Sequence, residues 1–543
     1  MKETHFIHKT KPYEHQIEAV HYCYGKQYFA LLMEQGTGKS KVLIDSASNL
    51  FLEKKIDAVM LIAPNGVQQQ WSNEQIPTHS PIPYTDTVWE LSVSSKKQRE
   101  TEKFIRTKSK GLKWFCINVE AFSRDTHLSL FKSFLKYNRT FLVIDEATRI
   151  KNPTAQRTVN IIQGLSDVIK VGKRITSVAP LSVYRAILTG TMVTNSPYDI
   201  WSMMEFLEHN YLGLDYYSFK NHYGIEKRTN IPGSYKSYTR KITTKEIANV
   251  RQYLARGKSI EETANIMSLS ESSIRFLKDN PLVQAPYKNL DELKAKIAPI
   301  SFIIRKIDCL DLPPKIYEKL YVELSNDQKV AYKTLIKELS AEYNGAQLNV
   351  LNKLTLLGRL GQICGGFFPS NNEQETILIP FTSNPKLDAL VEDLEECADW
   401  PVIVIAAFVA EIKAIYARLC KEYPDEKIEY ICGEVTTNRT DIIESFKRGE
   451  IKILIVNART VGSGYNLQIS HVQYFYSNTY SMEDREQIED RIHRDGQKSE
   501  TVLYKDIIAK NTIDEKIITI LQQKKDLLEY MRDKTLDEFL GGL

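Results

Sequence analysis

Five short apolar runs punctuate the first 207 residues: YFALLM (28–33), AVMLIAP (58–64), KWFCINV (113–119), TFLVIDE (140–146) and YRAILTG (184–190). Longer amphipathic stretches separate them. An uninterrupted apolar run of six or seven residues fits a strand buried on both faces. Such strands alternating with helices predict a parallel sheet covered by helices on each side. From Pro401 onward the pattern repeats in VIVIAAF (402–408), IEYICG (428–433), KILIVNA (452–458), VQYFYSN (472–478) and VLYKDII (502–508). Two α/β lobes are therefore expected, over residues 1–223 and 326–520. Between them lie a basic arm with a small helical insert (224–288) and a linking stretch (289–325), and a helix is expected at 521–543.

A chain of 543 residues exceeds what one hydrophobic core organises, and 42% hydrophobic content can fill two. The runs VMLIAP and VIVIAAFVA are too short to cross a bilayer, and MKETHFIHKTK is not a secretion signal. No membrane partner is expected, and the expected location is the cytoplasm, or the nucleus in a eukaryote. Seven cysteines without a CxxC pair argue against structural zinc and a disulfide framework. A net charge of +4 permits a polyanionic partner without requiring one.

The chemistry is concentrated in three segments. EQGTGKS (34–40) follows an apolar strand and opens a helix at Lys39, so the backbone N–H groups of Gly36, Thr37 and Gly38 point at phosphate oxygens. Lys39 reaches the β- and γ-phosphates and Ser40 ligates magnesium. In LVIDEATRIKN (142–152), Asp145 ends a strand where it can hold the magnesium, and Glu146 can orient or deprotonate water. In QIEDRIHRDGQ (487–497), Gln487, Arg491 and Arg494 fall at helical spacings of four and three, which places them on one face. ATP and Mg2+ are the expected cofactors.

These segments resemble the Swi/Snf-type DNA translocases of helicase superfamily two, whose lobes are RecA-like. PYEHQIEAV, LIAPNGVQQQWSNE, INVEAFS, DEATRIKN, RAILTGTMVTNSPYDIWSMMEFL, GEVTTNRTDIIESFKRG and ARTVGSGYNLQ carry the likeness, as does FIIRKIDCLDLPPKIYEKLYVELSNDQKVAY with its basic pair Arg305 and Lys306. The resemblance implies Gln16 on the adenine and Arg491 and Arg494 as arginine fingers. It implies Thr189, Gly190 and Thr191 as couplers of ATP state to nucleic acid, and backbone contacts to DNA near Pro64 and Asn65, near Glu120 and Ala121, and along Arg459, Gly462, Ser463, Gly464 and Asn466. Two positions depart from the pattern. Met33 stands where a strict phosphate loop has glycine, and Thr148 stands where the family has histidine, so a hydroxyl must make any coupling contact there.

The insert is this chain's own. From Gly224 to Lys258 it is basic, and EIANVRQYLARGKSIEETANIMSLSESSIRFLKD resembles a helix-turn-helix unit, with helices at about 260–267 and 271–278. Ser272, Ser273 and Arg275 are expected to face a DNA groove, with Arg240 and Lys241 on the basic arm; protein docking is the alternative use of this insert. The expected activity is that of a monomeric, ATP-dependent translocase on duplex or branched DNA, serving replication, recombination or repair, including branch migration. An RNA helicase and an ATP-switched DNA-binding scaffold are the alternatives.

Overall fold

The structure, a computed structural model, describes the chain apart from residues 1–5, 90–93, 163–176, 191–195, 231–236, 282, 284–285, 339, 344–345, 350–352, 372–375, 398–399, 434–438, 458–459, 461–465 and 523–543. It divides into two compact units, Met1–Cys309 and Leu310–Leu543.

The first unit is built on strands β1 (Tyr28–Met33), β2 (Ala58–Ala63), β3 (Tyr84–Trp89), β4 (Leu112–Asn118), β5 (Thr140–Asp145), β6 (Tyr184–Thr189) and β9 (Ser301–Ile304). They form one sheet in the order β3-β4-β2-β5-β6-β1-β9, and every pair is parallel. Successive residues of a strand face opposite sides, and both sides are apolar here. Ala30, Leu32, Met60 and Ile62 enter the core on one face, while Phe29, Leu31, Val59 and Leu61 enter the core on the other. Two cores on one sheet are the reason the strands read as unbroken apolar runs.

The insert carries a hairpin, β7 (Glu226–Asn230) with β8 (Ser237–Lys241), and three helices, Thr244–Ala255, Ile260–Met267 and Glu271–Asp279. It has its own core, which includes Ile247, Val250, Ala264, Met267, Ile274 and Leu277.

The second unit begins with β10 (Lys315–Val322). Two small hairpins follow, β11 (Ser340–Tyr343) with β12 (Ala346–Asn349) and β13 (Phe367–Asn371) with β14 (Thr376–Pro380). Its main sheet joins β10 to β15 (Val402–Ala406), β16 (Ile428–Ile431), β17 (Ile453–Asn457), β18 (Val472–Phe475) and β19 (Val502–Ala509), in the order β10-β19-β18-β15-β17-β16, again with every pair parallel. Strands β3, β9 and β10 do not stand out in the apolar pattern, and all three are sheet edges. An edge strand buries less of its surface: most of β10 is exposed, so its sequence KIYEKLYV stays mixed. Among the described residues no helix is long and apolar enough to cross a membrane, and all seven cysteines are free thiols.

Candidate functional site

In a parallel sheet all strands end at the same edge, so the loops after β1, β2, β4, β5 and β6 are neighbours. The loop after β1 is Glu34–Gly38, and the helix Lys39–Leu52 starts directly behind it. Gly38 caps that helix with φ +90°, a left-handed conformation that side chains other than glycine's resist. A Cβ there would also lie 2.2 Å from Gln16 Nε2. Gln16 underpins the loop: its Nε2 donates to Thr37 O at 3.2 Å, and its Oε1 accepts from Tyr13 N at 3.2 Å. His15 Nε2 lies 2.8 Å from the same Thr37 carbonyl. The buried Thr37 hydroxyl donates to Glu34 O at 2.7 Å.

Glu34 ties the loop to its neighbour strand. Its N–H donates to Ile304 O at 3.0 Å, and its Oε2 accepts from Lys306 N at 2.8 Å. Lys39 Nζ donates to Met33 O at 2.7 Å, and Ser40 lies half-buried in the first helical turn. The Thr37 N–H, expected at a phosphate, donates instead within the loop to Glu34 O at 3.3 Å; a glycine-bearing loop at a helix N-terminus, with a lysine beside it and a hydroxyl one residue on, still fits a triphosphate and its magnesium.

The magnesium candidate Asp145 ends β5. Strand β6 lies between β5 and β1, which separates the carboxylate's strand from the loop's strand by two spacings, about 10 Å. That gap suits a hydrated cation beside a phosphate. Asp145 Oδ2 accepts from Trp71 Nε1 at 2.8 Å and Oδ1 accepts from Glu146 N at 3.0 Å. Burial, and then the adjacent Glu146 carboxylate, push the Asp145 carboxyl up to about 6, against the pull of the Trp71 N–H and the Lys39 ammonium. Glu146 itself holds φ +52°, a conformation that costs a non-glycine residue about 1–2 kcal/mol. Trp71 was not singled out from the sequence; the signal was an indole closing the polar run VQQQW, close after a strand end.

Thr189 is buried at the end of β6. At Gly190 a Cβ would meet Gln35 N at 3.6 Å and Met33 O at 3.8 Å, so this segment lies against the phosphate loop. Thr148 is buried in the turn Ala147–Ile150. Thr191 lies outside the described residues, as do Arg459, Gly462, Ser463 and Gly464. Of the motif after β2, Pro64 is buried and Asn65 is exposed. Glu120 and Ala121, after β4, are half-buried.

In the second unit the helix Met482–Glu489 ends before the arginines, with Asp490 as its cap. This corrects the expectation of one helical face: only Gln487 is on the helix, where its Nε2 donates to Glu483 Oε1 at 3.4 Å. Arg491 is buried in the turns that follow, and Leu467 N donates to Arg491 O at 3.1 Å. Arg494 Nη1 donates to Asn466 Oδ1. The turn holds its place through a buried network that the sequence did not announce. Arg485 binds Glu489 at 2.8 Å and Asp506 at 2.6 Å, and Glu489 also accepts from Lys315 at 3.0 Å and from Tyr317 Oη at 2.7 Å.

Three insert residues need a second correction. Arg240 is bound to Glu246 at 2.7 and 2.8 Å, with Lys227 on the same carboxylate at 3.2 Å. Burial alone would raise the Glu246 carboxyl, but Arg240, the Thr243 N–H and Lys227 hold it at about 2. Lys241 Nζ donates to Tyr287 Oη at 2.5 Å and lies 5.3 Å from the Tyr198 ring. Ser273 is buried, 2.9 Å from the hydroxyl of the helix cap Ser270. These side chains build the insert. Ser272 and Arg275 are exposed.

The SNF2-related domain matches residues 15–365, and the helicase conserved C-terminal domain matches residues 385–496. YwqA of Bacillus subtilis (strain 168), named for a helicase/translocase, is 28% identical over 251 residues, covering 44% of this chain and 27% of the relative. MG018 of Mycoplasma genitalium, named an uncharacterized ATP-dependent helicase, is 26% identical over 403 residues, covering 73% of this chain and 31% of the relative. The chain thus spans about a third or less of these relatives' length. A solved structure, the Sulfolobus solfataricus SWI2/SNF2 ATPase core in complex with dsDNA, aligns over 96% of this chain and 93% of its own with a TM-score of 0.36 and 21% identity. With the first match covering well over half of its residues, this chain belongs to the SNF2-related family.

Proposed function

We propose that the chain is an ATP-dependent translocase on duplex or branched DNA. The observation that carries this reading is the first unit's arrangement of a phosphate cradle and an acidic pair, separated by the strand that ends at Thr189, just before Gly190. The backbone of Gly36–Gly38 and the Lys39 ammonium bind the phosphates, and Ser40 and Asp145 hold the metal. Magnesium supplies charge that offsets the negative phosphate oxygens. Glu146 orients the attacking water and accepts its proton. Arg491 and Arg494 are the candidates for stabilising the charge that builds on the transferred phosphoryl group, an effect of about a thousandfold or more for such arginines.

Thr148, Thr189, Gly190 and Thr191 relay the state of the phosphate site to the DNA-contacting loops. The bond from Arg494 to Asn466 supports a matching relay in the second unit, because Asn466 closes the segment proposed to hold the DNA backbone. Contacts through Asn65 and the glycine-rich segment 459–466 bind phosphates without reading bases. The roles that fit are remodelling of branched DNA and displacement of bound proteins, in replication, recombination or repair.

The test is steady-state ATP hydrolysis with duplex DNA, single-stranded DNA, a four-way junction, RNA or no nucleic acid, with Glu146→Gln as the blank. Stimulation by duplex or junction DNA that vanishes in the variant supports the reading. Stronger stimulation by RNA supports an RNA helicase instead. Tight ATP binding with no turnover supports the switched scaffold.

A further inference from the structure

We infer that the insert is a second duplex-DNA contact, separate from the motor surface, in which the helix Glu271–Asp279 lies in a major groove. Residues 224–288 contain twelve Lys and Arg against six Asp and Glu, a net of +6, whereas the whole chain has a net of +4. The rest of the chain is thus slightly acidic, and the positive charge that attracts a polyanion is concentrated in one small module.

The module's geometry specifies the partner further. Helices Ile260–Met267 and Glu271–Asp279 are joined by three residues, of which Ser268 is left-handed (φ 53°, ψ 45°). Both helices start with serine caps: Ser259 accepts from Glu262 N, and Ser270 accepts from Ser273 N. Met267, Leu269, Ile274 and Leu277 bury the inner side of this pair against Ile247 and Val250 of the helix before it. This is a helix-turn-helix with a tight turn. Its second helix exposes Glu271, Ser272, Arg275, Lys278 and Asp279; Glu271, Arg275 and Lys278 fall at i, i+4 and i+7 on one face, and Asp279 and Ser272 flank it, so the groove-facing cations Arg275 and Lys278 act beside two carboxylates. A helix about 10–12 Å across matches a B-DNA major groove about 12 Å wide. Arg256 and Lys258, exposed at the elbow between the first two helices, are placed for phosphates. Arg240 and Lys241 are engaged inside the module, so the DNA face is this one and not the hairpin.

The mount is stiff. Ile225 N donates to Pro286 O and Lys288 N to Tyr223 O, each at 2.9 Å, so the two chain crossings into the insert are bonded to each other. A Cβ on Gly224 would lie 1.6 Å from Tyr198 Oη, and Tyr198 immediately precedes the helix Asp199–Leu207 of the first unit. DNA held by the insert is therefore held by the ATP-binding unit.

The proposal shares with the translocase reading only the identity of the nucleic acid. The test measures binding of a labelled duplex of about 30 base pairs to the full chain without ATP over a salt series, for the parent, a variant with Arg256, Lys258, Arg275 and Lys278 all changed to Ala, and Glu271→Gln. Removing these four cations, two placed for phosphates and two on the groove helix, is expected to flatten the log Kd versus log salt slope by about 2–4 and to weaken low-salt binding by roughly tenfold or more. Glu271→Gln is expected to tighten binding, a change that loss of folding does not mimic. ATP hydrolysis without DNA stays at the parent rate in both variants. Unchanged affinity and slope in the quadruple variant overturn the proposal and leave a protein as the partner of this face. If the parent's binding depends on these cations while its hydrolysis ignores DNA, the translocase reading fails and this one stands.

Discussion

Replacing Trp71 with Phe removes a single N–H from a buried carboxylate and keeps an aromatic ring in its place. The indole nitrogen is 2.8 Å from Asp145 Oδ2, and Trp71 is 1% and Asp145 9% exposed, so water does not readily replace the lost donor. A hydrogen bond to a charged acceptor contributes about 1.5–3 kcal/mol, and about 1.4 kcal/mol is one pKa unit, so the carboxyl should rise by roughly 1–2 units. It starts at about 6, where burial and Glu146 have pushed it. At pH 7 the ionised fraction then falls from roughly nine-tenths to between about one-half and one-tenth. On the proposed role of ionised Asp145 in holding magnesium, kcat/KM for magnesium–ATP should fall about 2- to 10-fold at pH 7 and recover by about pH 9. The assay is DNA-stimulated hydrolysis at subsaturating ATP across that range, since kcat/KM follows the ionisation of the free enzyme. An acidic limb that stays where it was, or a loss of the same size at every pH, refutes this role of the indole N–H; the latter would mean that Trp71 matters only through its packing on Trp114, whose ring centroid is 6.2 Å away.

Gly38→Ala is expected to weaken ATP binding more than about 100-fold, because its Cβ meets Gln16 and its φ is left-handed; adding Gln16→Ala should recover part of that loss, and strictly additive effects in a binding titration would show that the contact is unimportant. In the second unit, burial raises the Glu411 carboxyl to about 7 despite its bond from Ser477, so the folded state keeps a proton that the unfolded state releases above about 4.5. Stability is thus fully present below about pH 4.5 and falls as pH rises to about 7, by up to about 3 kcal/mol, and thermal unfolding of Glu411→Gln should lack this slope. Leu277→Ala removes a fully buried side chain from the insert core and should cost about 2–5 kcal/mol; limited proteolysis should then cut the insert while DNA-independent hydrolysis survives.

The central strands of both sheets were legible because each face of each strand feeds a core. Alternation therefore disappears, and a six-residue apolar run such as AVMLIA has only one comfortable place. Edge strands carry no such constraint, which is why YTDTVW and KIYEKLYV passed as connecting sequence. The phosphate loop was legible because its spacing is local: a strand, five residues and a helix. Trp71 was not, since it reaches Asp145 across 74 positions of chain and nothing local marks the pair. Counting charges misplaced Arg240 and Lys241. A count cannot see that Glu246, already the capping partner of Thr243, also collects Arg240 and Lys227 on one carboxylate. The three-helix pattern of the insert, by contrast, is written in caps and apolar spacing and needed no long-range partner.

The bond from the Lys306 N–H to Glu34 makes the phosphate loop and the chain's way out of the first unit one hydrogen-bonded piece. Beyond Cys309 the same chain becomes the second unit. A hydrogen bond to a carboxylate is worth about 1.5–3 kcal/mol, which sets the largest coupling free energy this single link can carry, a factor of roughly 10 to 150 in affinity. Linkage is reciprocal: whatever factor nucleotide adds to the formation of this bond is the factor by which breaking the bond lowers nucleotide affinity. If the loop holds ATP as proposed, this tether would make it a strain gauge for load on the linker.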